Sequence, residues 1–144
     1  MLQRVEELVA PQAAAKHQQY TIDRDANVYV HADEEKLVQI FVNLVSNAVR
    51  YTPEGGEIRI EFRATADRVF TDVCDSGVGI PADKLSAIFE PFVQVDRSYA
   101  GERQGTGLGL AISRELARGM GGDLTVRSTV GKGSVFTVAL VREP

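Results

Sequence analysis

Tryptophan is absent, cysteine occurs once, and no long apolar run interrupts the 144 residues of this chain. The single thiol, Cys74, sits in the apolar-rich run Val69-Phe70-Thr71-Asp72-Val73-Cys74. Alone it cannot build a disulfide framework or a metal cluster, and cytosolic chemistry fits best. No stretch approaches the roughly 20 apolar residues needed to cross a bilayer. The opening Met1-Leu2-Gln3-Arg4 leads into charge rather than into a signal-peptide core. The piece therefore reads as soluble, although a parent protein could still be a membrane receptor. Positive charge is also short: 16 Lys and Arg against 20 Asp and Glu leave a formal net charge of −4, which disfavours a nucleic-acid partner. What the chain does have is 44% apolar content at the length of one domain, enough for a sizeable core.

Leu2, Val5, Leu8 and Val9 recur at helical spacing and predict an opening helix, with Pro11 marking a kink or restart. Strand-like runs follow at Tyr20 to Ile22 and Val28 to His31. Asp33 reads as an N-cap, with Glu34 and Glu35 in a first turn that favours negative charge, and the pattern predicts a helix over Glu34 to Tyr51. Thr52-Pro53-Glu54-Gly55-Gly56 ends it. Glu57 to Ala64 and Arg68 to Asp75 read as strands of a hairpin. The polar, aperiodic segment Phe92 to Gly105 reads as a long functional loop. A second helix is expected from about Gly107 to Met120. Leu124 to Ser128 and Ser134 to Val141 alternate like strands around Thr129-Val130-Gly131-Lys132-Gly133. Helices and strands without a regular repeat favour an α+β sandwich of one sheet covered by helices.

Three constellations carry chemistry. On the Glu34 to Tyr51 helix, Gln39, Asn43, Asn47 and Arg50 form a polar strip beside the apolar face. Amide oxygens there suit Mg²⁺ and Arg50 suits a phosphate, while a solvated helix face carries equal weight. Asp75-Ser76-Gly77-Val78-Gly79-Ile80-Pro81 follows an apolar strand; its carboxylate could accept from an adenine amine, and it could equally be an ordinary turn. Gly105-Thr106-Gly107-Leu108-Gly109-Leu110 opens a helix, where free amides and the helix dipole favour phosphate over simple helix packing. No Lys-Ser or Lys-Thr follows, so it is not a Walker A loop, and the Gly-x-Gly-x-Gly spacing after a polar loop is not a dinucleotide fingerprint. Phe89-Glu90-Pro91-Phe92 reads as a hydrophobic anchor for the loop's base. Strand alternation should turn Cys74 and Asp75 to opposite faces.

In this order the motifs resemble those of the GHKL ATPase superfamily, and within it the catalytic domains of sensor histidine kinases. Asn43-Leu44-Val45-Ser46-Asn47-Ala48-Val49-Arg50-Tyr51-Thr52 looks like the N box and Asp75 to Gly79 like the first glycine box. Phe89 to Phe92 is similar to the F box, and Gly105 to Leu110 and Gly131-Lys132-Gly133-Ser134 look like the later glycine boxes. The resemblance runs over nearly the whole chain and implies a Bergerat-type two-layer α/β sandwich. In it a mixed sheet is covered by helices on one face, with a flexible ATP lid at about 93–104 and one catalytic ATP-binding domain over 1–144. It implies ATP and Mg²⁺ as cofactors, Asn47 as the metal ligand and Asn43 as its neighbour in the phosphate pocket. Asp75 would take the adenine amine beside Gly77, Gly79 and Ile80, and Tyr51 would lie against the nucleotide. Gly105, Thr106, Gly107, Leu108, Gly109 and Leu110 would form the hinge and phosphate-side backbone. Arg97 and Arg103 in the lid could reach phosphates or could equally be solvated loop charges, with Arg103 slightly preferred because it sits closer to the glycine hinge.

Arg50 stands where the family commonly has lysine, and Ser134 where threonine is more usual. Asn43 occupies the place where related ATPases such as gyrase put a water-activating glutamate, which points to kinase rather than hydrolase behaviour. The implied activity is transfer of the γ-phosphoryl group to a histidine on a separate dimerisation domain of the parent sensor kinase, with a response regulator downstream. Neither His17, which lacks a following acidic residue, nor His31 reads as that acceptor; both are expected to be ordinary surface or edge residues. The fragment is expected to be monomeric and to act in the cytoplasm, and the run Phe89 to Asp96 looks like hybrid kinases. The competing readings are a GHKL ATPase, an anti-sigma-type serine kinase and a nucleotide-binding module without transfer activity.

Overall fold

Asp33 begins the central helix: its side chain accepts a hydrogen bond from the Lys36 amide at 3.2 Å, satisfying one of the free N–H groups of a first turn. This helix, α2, is Glu34–Tyr51 of a computed structural model that describes residues 2–23, 29–91 and 109–143. The bounds of α2 match the sequence expectation. Its apolar stripe, Leu37, Val38, Ile40, Phe41, Leu44, Val45, Ala48 and Val49, is buried throughout.

The other elements are α1 (Leu2–Ala15), β1 (Gln19–Ile22), β2 (Glu57–Ala64), β3 (Arg68–Asp75), α3 (Gly109–Gly119), β4 (Asp123–Thr129) and β5 (Gly133–Val141), with 3₁₀ turns at Ala82–Lys84 and Ala87–Phe89. The five strands form one sheet in the order β1-β2-β3-β5-β4. β1 runs parallel to β2 and every other pairing is antiparallel, so the sheet is mixed. Alternation sends Ile58 and Ile60 of β2, Val73 of β3 and Phe136, Val138 and Leu140 of β5 into one core with α1 and α2. The fold is α+β, as expected.

Two expectations are corrected. α1 runs unbroken through Pro11, without the restart that residue suggested. The proline withdraws one hydrogen bond, but burial of Val5, Val9 and Ala13 on α2 and the sheet holds the helix on both sides of it. The expected strand at Val28 to His31 is, among the described residues, a single bridge between Val30 and Arg142; Val28 lies outside them. The second helix is observed from Gly109, and the expected start at Gly107 also lies outside.

The sheet's other face is polar. Arg59, Glu61 and Arg63 of β2 are exposed there, and Arg63 holds the buried carboxylate of Asp72 through Nε at 3.0 Å and Nη2 at 3.2 Å. Cys74 lies on this face, opposite Arg59, while Asp75 turns to the helices, as alternation required. Burial pushes the Cys74 thiol above its ordinary range, so it stays protonated and inert at neutral pH.

Candidate functional site

The carboxyl end of β3 and the last turn of α2 lie side by side where Gly77 permits it. A methyl group on Gly77 would stand 2.5 Å from the Tyr51 carbonyl oxygen and 2.8 Å from Asp75 Oδ1. Asp75 is half-buried and accepts the Gly77 amide at 2.9 Å, folding the loop back over its own carboxylate. Gly79 has φ +76 and its α-carbon faces the Thr129 carbonyl, so a side chain there meets both backbone strain and a backbone atom.

Ser128 closes this loop against the β4–β5 hairpin. Its hydroxyl accepts the Ile80 amide at 2.7 Å, donates to the Gly133 carbonyl at 3.0 Å and lies 2.8 Å from Ser134 Oγ. Ser134 is opposite Asp75 in the β3–β5 register. The Ile80 side chain is buried in the apolar core. The sequence reading left out Ser128, although its pairing with Ser134 across a hairpin would have exposed it.

Along α2 the polar strip divides. Gln39 is exposed, whereas Asn43, Asn47 and Arg50 are half-buried. Arg50 Nη1 donates to Asn47 Oδ1 at 3.3 Å and its guanidinium lies 5.9 Å from the Tyr51 ring centre. One turn back, Asn43 Nδ2 donates to Ser113 Oγ at 3.2 Å, and Gly109 stands so close to the Asn43 amide that an added methyl would collide with Oδ1. Ser113 is a second residue the sequence reading missed. The structure thus joins Gly109 to Asn43 at one end of the strip, and Tyr51 to Gly77 and Asp75 at the other. At 1.5 Å per residue, Asn43 and Tyr51 are about 12 Å apart along the axis.

A groove opens between α2 and α3 beside Asn43, bordered by Gln39, Ser46, Gly109 and Ile112. Leu110 packs on the core from the first turn of α3. Arg103, Gly105, Thr106, Gly107 and Leu108, with the expected lid at 93–104, lie outside the described residues. Phe89 packs against the core, as the anchor reading expected of it, and its ring carries the Arg114 guanidinium at 4.5 Å, while Phe92, the other aromatic of that reading, lies outside the described residues.

Among the described residues no three His, Cys, Asp or Glu side chains gather to hold a metal ion. The oxygen donor is instead one amide, Asn47 Oδ1, which accepts from Arg50 Nη1 and becomes open to a cation only when that guanidinium turns away. That suits Mg²⁺, which keeps several waters and binds through few protein oxygens plus phosphate, and does not suit a metal caged by protein. His17 and His31 are exposed; each pairs with a surface glutamate, Glu54 and Glu143. Among the described residues no helix is long and apolar enough to cross a membrane.

Residues 32–144 match a family model described as histidine kinase-, DNA gyrase B-, and HSP90-like ATPase. The aerobic respiration control sensor protein ArcB of Escherichia coli (strain K12) is 42% identical over 140 residues, covering 94% of this chain and 18% of that protein. Full-length ShkA in complex with AMPPNP superposes with a TM-score of 0.86 at 34% identity, over 99% of this chain and 30% of that one. The catalytic domain of histidine kinase ThkA superposes at 0.80 and 28% identity, over 99% of this chain and 92% of that one. The chain spans about a fifth of the length of the curated relatives it matches, 19% and 18% for two of them.

Proposed function

This chain belongs to the histidine kinase-, DNA gyrase B- and HSP90-like ATPase family, and on that premise we propose that residues 1–144 form one catalytic unit that binds Mg·ATP and transfers its γ-phosphoryl group to a histidine on a separate dimerisation domain of a parent sensor kinase. The observation that carries the reading is that one helix, α2, meets Gly109 at Asn43 and Gly77, beside Asp75, at Tyr51, with Asn47 and Arg50 paired between them. The start of α3 stands at one end of that strip and the Asp75 carboxylate at the other.

Asp75 accepts the exocyclic amine of adenine, and Gly77 and Gly79 let the base approach the backbone. Tyr51 flanks the nucleotide, Ile80 backs the base from the core, and Ser134 holds the loop through Ser128. Arg50 would turn from Asn47 to phosphate oxygens, leaving Asn47 Oδ1 as the oxygen that would hold Mg²⁺. Mg²⁺, when bound, neutralises charge on the phosphate oxygens. Arg103, Gly105, Thr106, Gly107 and Leu108 join Gly109 and Leu110 on the phosphate side, with 93–104 as the lid. In the transfer an imidazole nitrogen of the acceptor forms a bond to the γ-phosphorus as the bond to the bridging oxygen of ADP breaks. Asn43 cannot remove a proton from water, so the site positions ATP without hydrolysing it. A response regulator would take the phosphoryl group onward, and the supply of ATP assigns the work to the cytoplasm.

Calorimetry of the folded chain with Mg·ATP and Mg·ADP tests the first half: binding is expected, Asp75→Asn should weaken it, and no heat with either nucleotide sinks the reading. Labelled ATP added together with the parent's histidine-bearing helices tests the second, with acid-labile phosphohistidine expected. Steady phosphate release by the chain alone would instead favour a hydrolase.

A further inference from the structure

Asn43 and Ser113 are 70 residues apart in sequence, yet the Asn43 amide donates from Nδ2 to the Ser113 hydroxyl at 3.2 Å. Ser113 is 1% exposed, a buried polar group on a short helix, while Asn43 is half-buried at the groove between α2 and α3. A carboxamide can turn over and exchange its donor for its acceptor, and the two orientations present opposite chemistry to a ligand. A hydroxyl can serve either orientation, so the buried Ser113 fixes where the carboxamide lies, and its other neighbour selects which atom faces outward. Gly109 narrows the choice from the other side: its α-carbon lies against the amide, where an added methyl would meet Oδ1 first and then Cγ at 2.8 Å.

We propose that Ser113 is a positioning residue for the nucleotide pocket, holding the Asn43 side chain so that its carbonyl oxygen faces the start of α3. The inference rests on the nucleotide reading given above. In that pocket an oxygen at this point accepts from metal-bound water or from an amide at the helix start, whereas a reversed NH₂ group would repel the cation and its hydration shell. Ser113 borders the groove but is 1% exposed, so its proposed action is through Asn43 rather than on the ligand itself.

The test is a double-mutant cycle read by calorimetry with Mg·ATP, together with ¹⁵N–¹H spectra of side-chain amides in nucleotide-free protein. Ser113→Ala should weaken Mg·ATP about fivefold, the change that one neutral hydrogen bond commands. Ser113→Thr, which keeps the hydroxyl, should recover most of it. In an Asn43→Ala background Ser113→Ala should have no further effect on affinity, because its partner is gone. In the wild-type chain the Asn43 amide protons should exchange more slowly than those of exposed Gln39, a measurement that needs no variant to fold. Equal exchange at the two amides overturns the proposal. So does a Ser113→Ala chain that binds as the wild type does, or one whose loss is the same with and without Asn43. Should the wild type bind no nucleotide, the functional reading fails by itself, while the exchange rates still report on the contact.

Discussion

Lys16 grips the end of α2 through Val49: its ammonium donates to the Val49 carbonyl at 2.9 Å and to the neighbouring Arg50 carbonyl at 3.2 Å. Gln18 adds Nε2 bonds to Val49 at 2.9 Å and to Thr52 at 2.8 Å. The final carbonyls of a helix lack partners within it and carry partial negative charge, so a cation and an amide donor supply what the helix cannot. Because Tyr51 and Arg50 stand on this last turn, the α1–β1 connection also sets where one end of the candidate site lies.

Lys16→Met keeps most of the aliphatic stem and removes the charge, and should lower unfolding free energy by about 1 kcal/mol. Gln18→Leu should cost about 1–3 kcal/mol, because Gln18 is buried and its loss takes from the Thr52 carbonyl the side-chain donor that Lys16 does not replace. Urea unfolding of the two variants checks the order; a Lys16 effect larger than the Gln18 effect would contradict it.

His17 sits at φ 52, a left-handed conformation, directly after α1. Its amide bonds the Ala14 carbonyl at 3.0 Å and the next amide, of Gln18, bonds Ala13 at 3.0 Å, the paired closure that usually takes glycine at this position. His17→Gly should stabilise the chain by about 1 kcal/mol, since the exposed contact with Glu54 contributes little. Thermal unfolding would reveal it as a raised midpoint, and a lowered one would show that the Glu54 contact outweighs backbone strain.

Local rules made much of this molecule legible. Asp33 announced α2 because an N-cap acts within three residues, and the hairpin of β2 and β3 followed from period-two alternation around Thr65 to Asp67. Cys74 and Asp75 took opposite faces for the same reason. What stayed hidden depends on meetings across long sequence separation. No pattern in α2 says that Asn43 will find Ser113, and nothing near Lys16 says that its ammonium will reach the end of another helix. Pro11 misled in the converse way: its local preference was outweighed by the packing of Val5, Val9 and Ala13.

Gly79 and Gly131 form a natural comparison. Their φ values are +76 and +83, but an added methyl at Gly131 meets nothing within 4 Å, whereas at Gly79 it collides with the Thr129 carbonyl. Gly131→Ala should cost about 1 kcal/mol, the backbone term alone. Gly79→Ala should cost at least about 2 kcal/mol more and should also weaken Mg·ATP, because the displaced loop folds onto the Asp75 carboxylate through the Gly77 amide. Parallel chemical denaturation and calorimetry separate the two; equal costs would mean that the loop yields freely.

Asp72 is expected to set the acid limit of the fold. Burial pushes its carboxyl upward, but hydrogen bonds from Arg63 and from Thr137 Oγ1 at 2.6 Å, with the Arg63 charge, outweigh that and leave it below the ordinary carboxylate range. The unfolded chain then takes up the proton first, near pH ~3.9, so between the two pKa values it binds more protons than the folded chain, and stability rises with pH there. The contribution is complete above the unfolded value and is lost as pH falls through the folded one. Asp123 is also held low, against burial, by the Leu124 amide and Arg118, and adds to the same limb. Urea midpoints measured between about pH 2.5 and pH 6 should therefore fall toward acid below about pH 4. Asp72→Asn should be less stable at pH 6 and show a shallower fall, since it has no proton to gain. Profiles that run parallel for the two chains would assign the acid limit to other groups.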